Sequence, residues 1–118
     1  QDIDYINLHG TGTAHNDRME CMAMRSVFGD IVSQMPMSSI KPIIGHTSGA
    51  AGIIEAALCL LCIKHGVIPA TINHVEPESD FKDFDFVVDQ ARQIQIRTAL
   101  SINSAFGGSN AALLFKEV

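Results

Sequence analysis

At 118 residues with a formal charge of −5, the chain is one domain or part of one, and folding buries about two-thirds of its unfolded surface. Phosphate binding needs clustered Lys and Arg, so the acidic balance argues against a nucleic-acid partner. Gln1-Asp2-Ile3-Asp4 lacks the start of a signal peptide, and the longest uninterrupted apolar run, Ala56 to Ile63, is far short of the ~20 residues of a membrane span. The cysteines Cys21, Cys59 and Cys62 make no even disulfide framework, which points to a reducing cytosol. With no initiator Met, residue 1 is not expected to be a native N-terminus.

Ile3 to Leu8 reads as a short strand, apolar on both faces and therefore central in a sheet. Asn16 to Phe28 reads as a helix with Asp17 and Glu20 at capping-box spacing, an apolar stripe of Met19, Ala23, Met24 and Val27, and Gly29 as its stop. Met35 to Ser39 is a second strand. His46 to Lys64 is the longest helix, small in its first half and apolar nearly all round in its second, so it should be buried on most sides. Lys64 and His65 suit the negative end of the helix dipole, and Gly66 is its C-cap. Pro69 and Pro77 mark a loop, and Phe84 to Val88 is a possible strand. Arg97 to Ser104 and Asn110 to Phe115 form an antiparallel hairpin about Gly107-Gly108. The order is that of an α/β layered fold.

Two histidines sit in small-residue turns: His9 opens His9-Gly10-Thr11-Gly12-Thr13, and His46 precedes Thr47-Ser48-Gly49-Ala50-Ala51-Gly52. Small residues let a substrate approach an imidazole without a Cβ in the way. Each histidine is open to two readings, a satisfied structural residue or an electrophilic catalyst whose N–H meets a developing oxyanion; the glycines favour the second. Two such rings converging on one thioester carbonyl would stabilise an enolate. Thr11 and Thr13 either stabilise the turn or bind an extended ligand. Lys41 either pairs with Glu20 near the site or stays solvated while Glu20 completes the Asp17 capping box. Phe106-Gly107-Gly108 either presents backbone N–H groups to an oxyanion or turns a hairpin with Phe106 in the core. Cys59 and Cys62 are expected as buried, inert thiols rather than a redox or metal pair. Zinc at His9, His15 and His46 is disfavoured, because no acidic or cysteine ligand stands at the usual spacing.

Taken in order, His9 to Thr13, Asp17 and Glu20, Ser38 to Lys41, Gly45-His46, Gly49 to Glu55 and Phe106 to Asn110 resemble the carboxy-terminal part of a β-ketoacyl-acyl carrier protein synthase of the His–His type. Lys41 lies 32 and His46 lies 37 residues after His9, as in that family, and the resemblance covers residues 1–118. It implies half of a thiolase-like layered α/β fold: a mixed sheet, a buried central helix and a C-terminal β-hairpin. It implies decarboxylative Claisen condensation of malonyl-carrier protein with an acyl thioester, in fatty-acid or polyketide synthesis. His9, His46 and Lys41 take the catalytic positions, with Asp17, Glu20 and Glu55 supporting. Thr11 and Thr13 match the pantetheine-binding threonines, and Phe106, Gly107 and Gly108 the gating and oxyanion loop. Ala105 and Ser104 stand where the family often has glycine and phenylalanine.

The family's nucleophilic cysteine belongs to an amino-terminal half that these residues do not include, so the chain alone is expected not to condense anything. No bound cofactor is implied, since the substrates carry phosphopantetheine. The implied partners are an acyl carrier protein, whose docking patch is expected outside these residues, the chain's own N-terminal half, and a second copy. A helix made for cover on both sides would otherwise lie bare, so self-association of the isolated chain is expected. A chain-length-factor-like subunit and a polyketide-synthase ketosynthase domain are the alternatives.

Overall fold

A computed structural model describes residues 2–118; Gln1 lies outside them. The expected first strand forms as β1 (Tyr5–Asn7), and it is central. With β2 (Met37–Ser38), β5 (Thr98–Ser104) and β6 (Asn110–Lys116) it makes a sheet of order β2-β1-β5-β6. β1 runs parallel to β2 and β5, while β5 and β6 are the antiparallel hairpin. β3 (Val67–Ile68) and β4 (Arg92–Gln93) form a separate two-stranded ladder that the sequence reading missed. Phe84 to Val88 makes only single bridges, Phe86 to Met37 and Val88 to Thr71, because a two-residue β2 offers no ladder to extend.

β1 is buried on both faces because a helix covers each, and its side chains alternate between two cores. Ile6 and Leu8 pack with Cys21, Met24, Val32 and Phe81. Tyr5 packs on the other side with Cys59, Cys62, Ile68 and Ala99. The first core is roofed by α1 (Ala14–Phe28), which begins two residues before its expected start. Thr13 occupies the N-cap in extended conformation, and no capping box forms. The buried face of α1 is Glu20, Cys21 and Met24, whereas Met19, Ala23 and Val27 of the expected stripe are exposed. Arg18 and Arg25 project from α1 to Glu78 and Asp83 at 2.5 and 2.7 Å, and stand over the rings of Phe81 and Phe84. They strap the 76–84 segment across the helix.

The short α2 (Lys41–Ile44) follows β2, and the long helix, α3 (Ala51–His65), starts five residues later than expected. Ser48–Ala50 is instead a 3₁₀ turn, with Ser48 at φ +52°. The Ser48 N–H is taken by His46 Nδ1 at 3.1 Å, so the ring ends the loop where sequence alone would extend the helix. Gly66 caps α3 in the left-handed conformation, as its position after Lys64 and His65 implied.

α3 buries one face only, Ala51, Glu55, Ala56, Cys59 and Cys62, against β5 and its neighbours. Ile53 is 72% exposed and Leu60 and Leu61 are each 52% exposed, and Leu113 and Leu114 of β6 are exposed as well. The helix is therefore not buried nearly all round: among the described residues no layer covers its outer side. Ser48–His65 is also apolar enough by composition to span a bilayer. Glu55 in its middle, paired with Lys41 in the interior, marks it instead as the fold's central helix.

Candidate active site

The connection from β1 to β2 runs through α1 on one face of the sheet, and that from β2 to β5 through α3 on the other. Strand order thus reverses beside β1, and the crevice outside the carboxyl ends of strands at such a point is where open α/β sheets bind ligands. His9 stands just past the end of β1. Asn7 pairs in register with Ser101 of β5, so continuing both strands two residues sets His9 beside Asn103. Ser39 follows β2, and His46 lies in the loop ahead of α3.

The turn after β1 is fixed by Glu20. Its carboxylate oxygens accept the backbone N–H groups of His9 at 2.5 Å and Gly10 at 2.9 Å. Burial pushes the Glu20 carboxyl up, and the two N–H groups draw it partly back. Gly10 sits at φ +47°, and a Cβ there would lie 2.5 Å from Ser39 Cβ. A larger residue would therefore force β1 and β2 apart at the site. Asp17 holds the same loop by accepting the Gly12 N–H at 3.2 Å.

The two histidines come together, with ring centroids 5.4 Å apart and planes at 86°. Their hydrogen bonds give them unlike states. His46 Nδ1 accepts the Ser48 N–H, so in the neutral ring the proton is on Nε2, a free donor. His9 Nδ1 faces Asn103 Oδ1 at 3.4 Å, while Asn103 Nδ2 donates to Glu55 Oε2 at 2.7 Å. A carboxylate only accepts, which fixes the Asn103 amide, and His9 must then carry its proton on Nδ1. Its Nε2 is left as an acceptor. The sequence reading had both rings donating to one oxygen; in their neutral forms only His46 does so. Burial, and next the nearby Lys41 ammonium, hold the His9 imidazole below its ordinary value, which keeps it neutral at pH 7.

Lys41 is buried, as expected of a site residue, but its partner is Glu55, not Glu20. Glu20 is occupied by backbone, and α3 brings Glu55 to Lys41 and Asn103 instead. A line of contacts therefore runs from Lys41 through Glu55 and Asn103 to His9. Asn103 was not among the residues picked from sequence, where it read only as a hairpin neighbour. The parallel register of β5 against β1 places it, and that register has no local signal. Asn7, fully buried beside this line, leaves its Oδ1 without a partner.

The remaining candidates lie at the rim. Thr11 and Thr13 bond one another through their hydroxyls at 3.1 Å in an exposed loop. Gly107 and Gly108 turn the hairpin at positive φ, and Phe106 is wholly exposed rather than in the core. A cavity of about 660 Å³ runs from Gly10, Thr11, Lys41 and His46 to the 71–78 segment. His9, Thr13 and Phe106 do not line it. His15 is exposed on α1, apart from the paired rings. Cys59 and Cys62 are buried on α3, their thiols pushed up by burial to about 12 and about 11, as inert thiols should be.

Residues 1–75 match the family described as beta-ketoacyl synthase, C-terminal domain. The chain belongs to the β-ketoacyl synthase family. It is 47% identical over 111 residues to the tetracenomycin polyketide synthase ketoacyl synthase alpha subunit of Streptomyces glaucescens, covering 94% of this chain and 26% of that protein. The ishigamide ketosynthase/chain length factor superposes with a TM-score of 0.93 at 39% identity, over 99% of this chain and 28% of that one. A type II polyketide synthase assembly of an acyl-carrier protein with its ketosynthase bound to the hexaketide, AntDE:AntF, matches with a TM-score of 0.93 at 33% identity, over 99% and 28% of the two chains. The chain thus spans little more than a quarter of the ketosynthases it matches. The likeness covers the hairpin and central helix too, and bears out the thiolase-like layered half-fold expected from the motifs.

Proposed function

We propose that this chain carries the acid–base and electrostatic half of a condensing site, and that the rest of its parent protein carries the nucleophilic cysteine. The observation behind this reading is the paired rings. Two imidazoles from turns 37 residues apart in sequence meet edge to face, one a donor and the other an acceptor. In the proposed reaction the malonyl thioester oxygen lies at His46 Nε2–H. The bond to the malonyl carboxylate breaks, carbon dioxide leaves, and the electron pair passes into an enolate whose oxygen His46 stabilises. The enolate carbon then attacks the acyl group on the cysteine, forming the carbon–carbon bond and releasing the thiolate. His9, neutral with Nε2 free, is the proton acceptor of the pair: a water that adds to the carbon dioxide as it leaves gives its proton to Nε2 and forms bicarbonate.

Lys41 keeps His9 neutral from below, Glu20 and Asp17 hold the turn that carries it, and Glu55 anchors Lys41. Thr11 and Thr13 bind the pantetheine arm, while Phe106 with Gly107 and Gly108 closes over the acyl chain. No resident cofactor takes part, because the acyl groups arrive on carrier-protein phosphopantetheine. The polyketide relatives and the carrier-protein assembly support a polyketide-type elongation and an acyl carrier protein as partner. The bare outer side of α3 and β6 is where the parent's own N-terminal half seats, and the parent works as an oligomer in the cytoplasm.

The test uses the full-length parent with malonyl-carrier protein. His46→Ala should abolish carbon dioxide release yet leave acyl transfer to the cysteine measurable; equal loss of both half-reactions refutes the assignment. A chain-length-factor-like subunit is the second reading, since the ishigamide assembly pairs a ketosynthase with one. His9, His46 and the buried Lys41 together favour the enzyme, and a cysteine on a strand-to-helix turn upstream would decide it.

A further inference from the structure

Asn103 is the one neutral side chain between the buried ion pair and the histidines, and each end of its amide meets a different partner. Nδ2 donates to Glu55 Oε2 at 2.7 Å, and Oδ1 faces His9 Nδ1 at 3.4 Å. Glu55 is 1% exposed, and its other oxygen is taken by Lys41, so its charge stays where Asn103 can sense it. Were the amide reversed, its carbonyl would face a carboxylate, two acceptors in contact in a buried place. The Glu55 carboxylate therefore holds the amide one way round. That orientation in turn presents His9 with an acceptor, which only an Nδ1–H can satisfy.

We propose that Asn103 is a positioning residue, a neutral relay through which Glu55 sets the His9 tautomer and leaves Nε2 as the free acceptor. The inference rests on the reading of His9 and His46 as a condensing pair. An aspartate in the same place would hold the ring equally well but bring a second negative charge to it. The amide gives orientation without that charge. The titratable groups around His9 are Lys41 from α2, Glu55 from α3, Glu20 from α1 and His46 from the loop before α3. None of these four makes a hydrogen bond to Nδ1, whose partner is Asn103.

The test compares Asn103→Leu, Asn103→Asp and His9→Ala in the full-length parent, by malonyl-carrier-protein decarboxylation as a function of pH. Asn103→Leu should lower kcat about tenfold, the worth of one hydrogen bond, with KM unchanged. Its acid limb should move to lower pH, because the imidazolium has lost its acceptor. Asn103→Asp should move the limb to higher pH, because a carboxylate favours the imidazolium. A side chain that only packs would not shift the limbs in opposite directions. Unmoved limbs in both variants, with His9→Ala inactive, would overturn the relay and leave the site reading standing. Full decarboxylation by His9→Ala would overturn both. Nitrogen-15 histidine spectra of the unmutated parent give a check that needs no variant to fold: His9 should show a protonated Nδ1 and His46 a bare one. The same tautomer in both rings would overturn the relay.

Discussion

The Lys41–Glu55 pair is where the fold is most exposed to a single change. Both side chains are nearly out of water, at 4% and 2% exposure, and they lie on different helices, α2 and α3. Lys41→Met removes the ammonium and leaves Glu55 with only the Asn103 amide as partner. Breaking a buried pair from one side costs about 3–5 kcal/mol, because the remaining charge stays desolvated. At about 1.4 kcal/mol per decade, the folded-to-unfolded ratio should fall by roughly two to four orders of magnitude. Lys41→Met/Glu55→Met removes both charges and should be more stable than the sum of the two single losses implies, with a coupling of about 0.5–3 kcal/mol. Urea unfolding of the four full-length proteins, compared at matched slopes, measures this cycle. Losses that add within about 0.5 kcal/mol would show the two charges to be independent and refute the argument.

The other expectations are separate. Gly10→Ala meets both the left-handed φ and the contact with Ser39, so the backbone alone should cost about 1–3 kcal/mol. Adding Ser39→Gly should recover only the steric share, and an unchanged melting midpoint in Gly10→Ala would contradict this. Because the His9 value is lowered on folding, its contribution to stability is whole above about pH 6.5 and is lost as pH falls through the folded value. A proton NMR titration of the His9 ring should therefore show a midpoint below about 6.5, and one above it would refute the assignment. Cys21, Cys59 and Cys62 have thiols pushed up by burial to about 12, about 12 and about 11. Thiol alkylation at pH 8 should be slow in the native protein and fast in urea; rapid native labelling of Cys59 or Cys62 would show that α3 is not seated as described.

The sequence carried the elements whose signals are local. The apolar run at Ile3 to Leu8, the stop at Gly66 and the hairpin around Gly107-Gly108 all formed close to where they were read. So did the meeting of His9 and His46, which the ordered motifs implied and the geometry shows. What failed were choices between partners. Glu20 has capping-box spacing from Asp17, yet the turn it actually satisfies lies eleven residues upstream at His9, where two backbone N–H groups outcompete one. Lys41 found Glu55 rather than Glu20 because the buried face of α3 presents Glu55 to it, while the Glu20 oxygens are taken by the His9 and Gly10 N–H groups. The α3 start was misread because Gly49 and its neighbours look like a small-residue helix, while the His46 ring takes the Ser48 N–H and holds the chain in a tighter turn. Of the apolar stripe on α1 only Met24 is buried, beside Glu20 and Cys21; Met19, about 100° round the helix from Glu20, is exposed, and Val27 in the last turn is exposed as well.

These displaced partners share one consequence for the chemistry. The acceptor role of His9, whose ring centroid lies 5.4 Å from that of His46, needs a neutral His9 ring, since protonating it would turn its acceptor edge into a donor and set a cation near Lys41. The His46 tautomer is set by a backbone N–H on its own loop, a purely local device. His9 is held neutral by burial and the Lys41 ammonium, while the amide turned by Glu55 decides which of its nitrogens carries the proton. The charge of Lys41 would weaken the fold if it stood alone, and Glu55 prevents that while also orienting Asn103. One buried ion pair thus does two jobs at different distances, stabilising the joint between α2 and α3 and fixing the proton on a ring neither residue needs to touch. On that argument the motif alone would not define the site's chemistry: moving Glu55 by a turn of α3 would leave both histidines in place and still unsettle the state of the first.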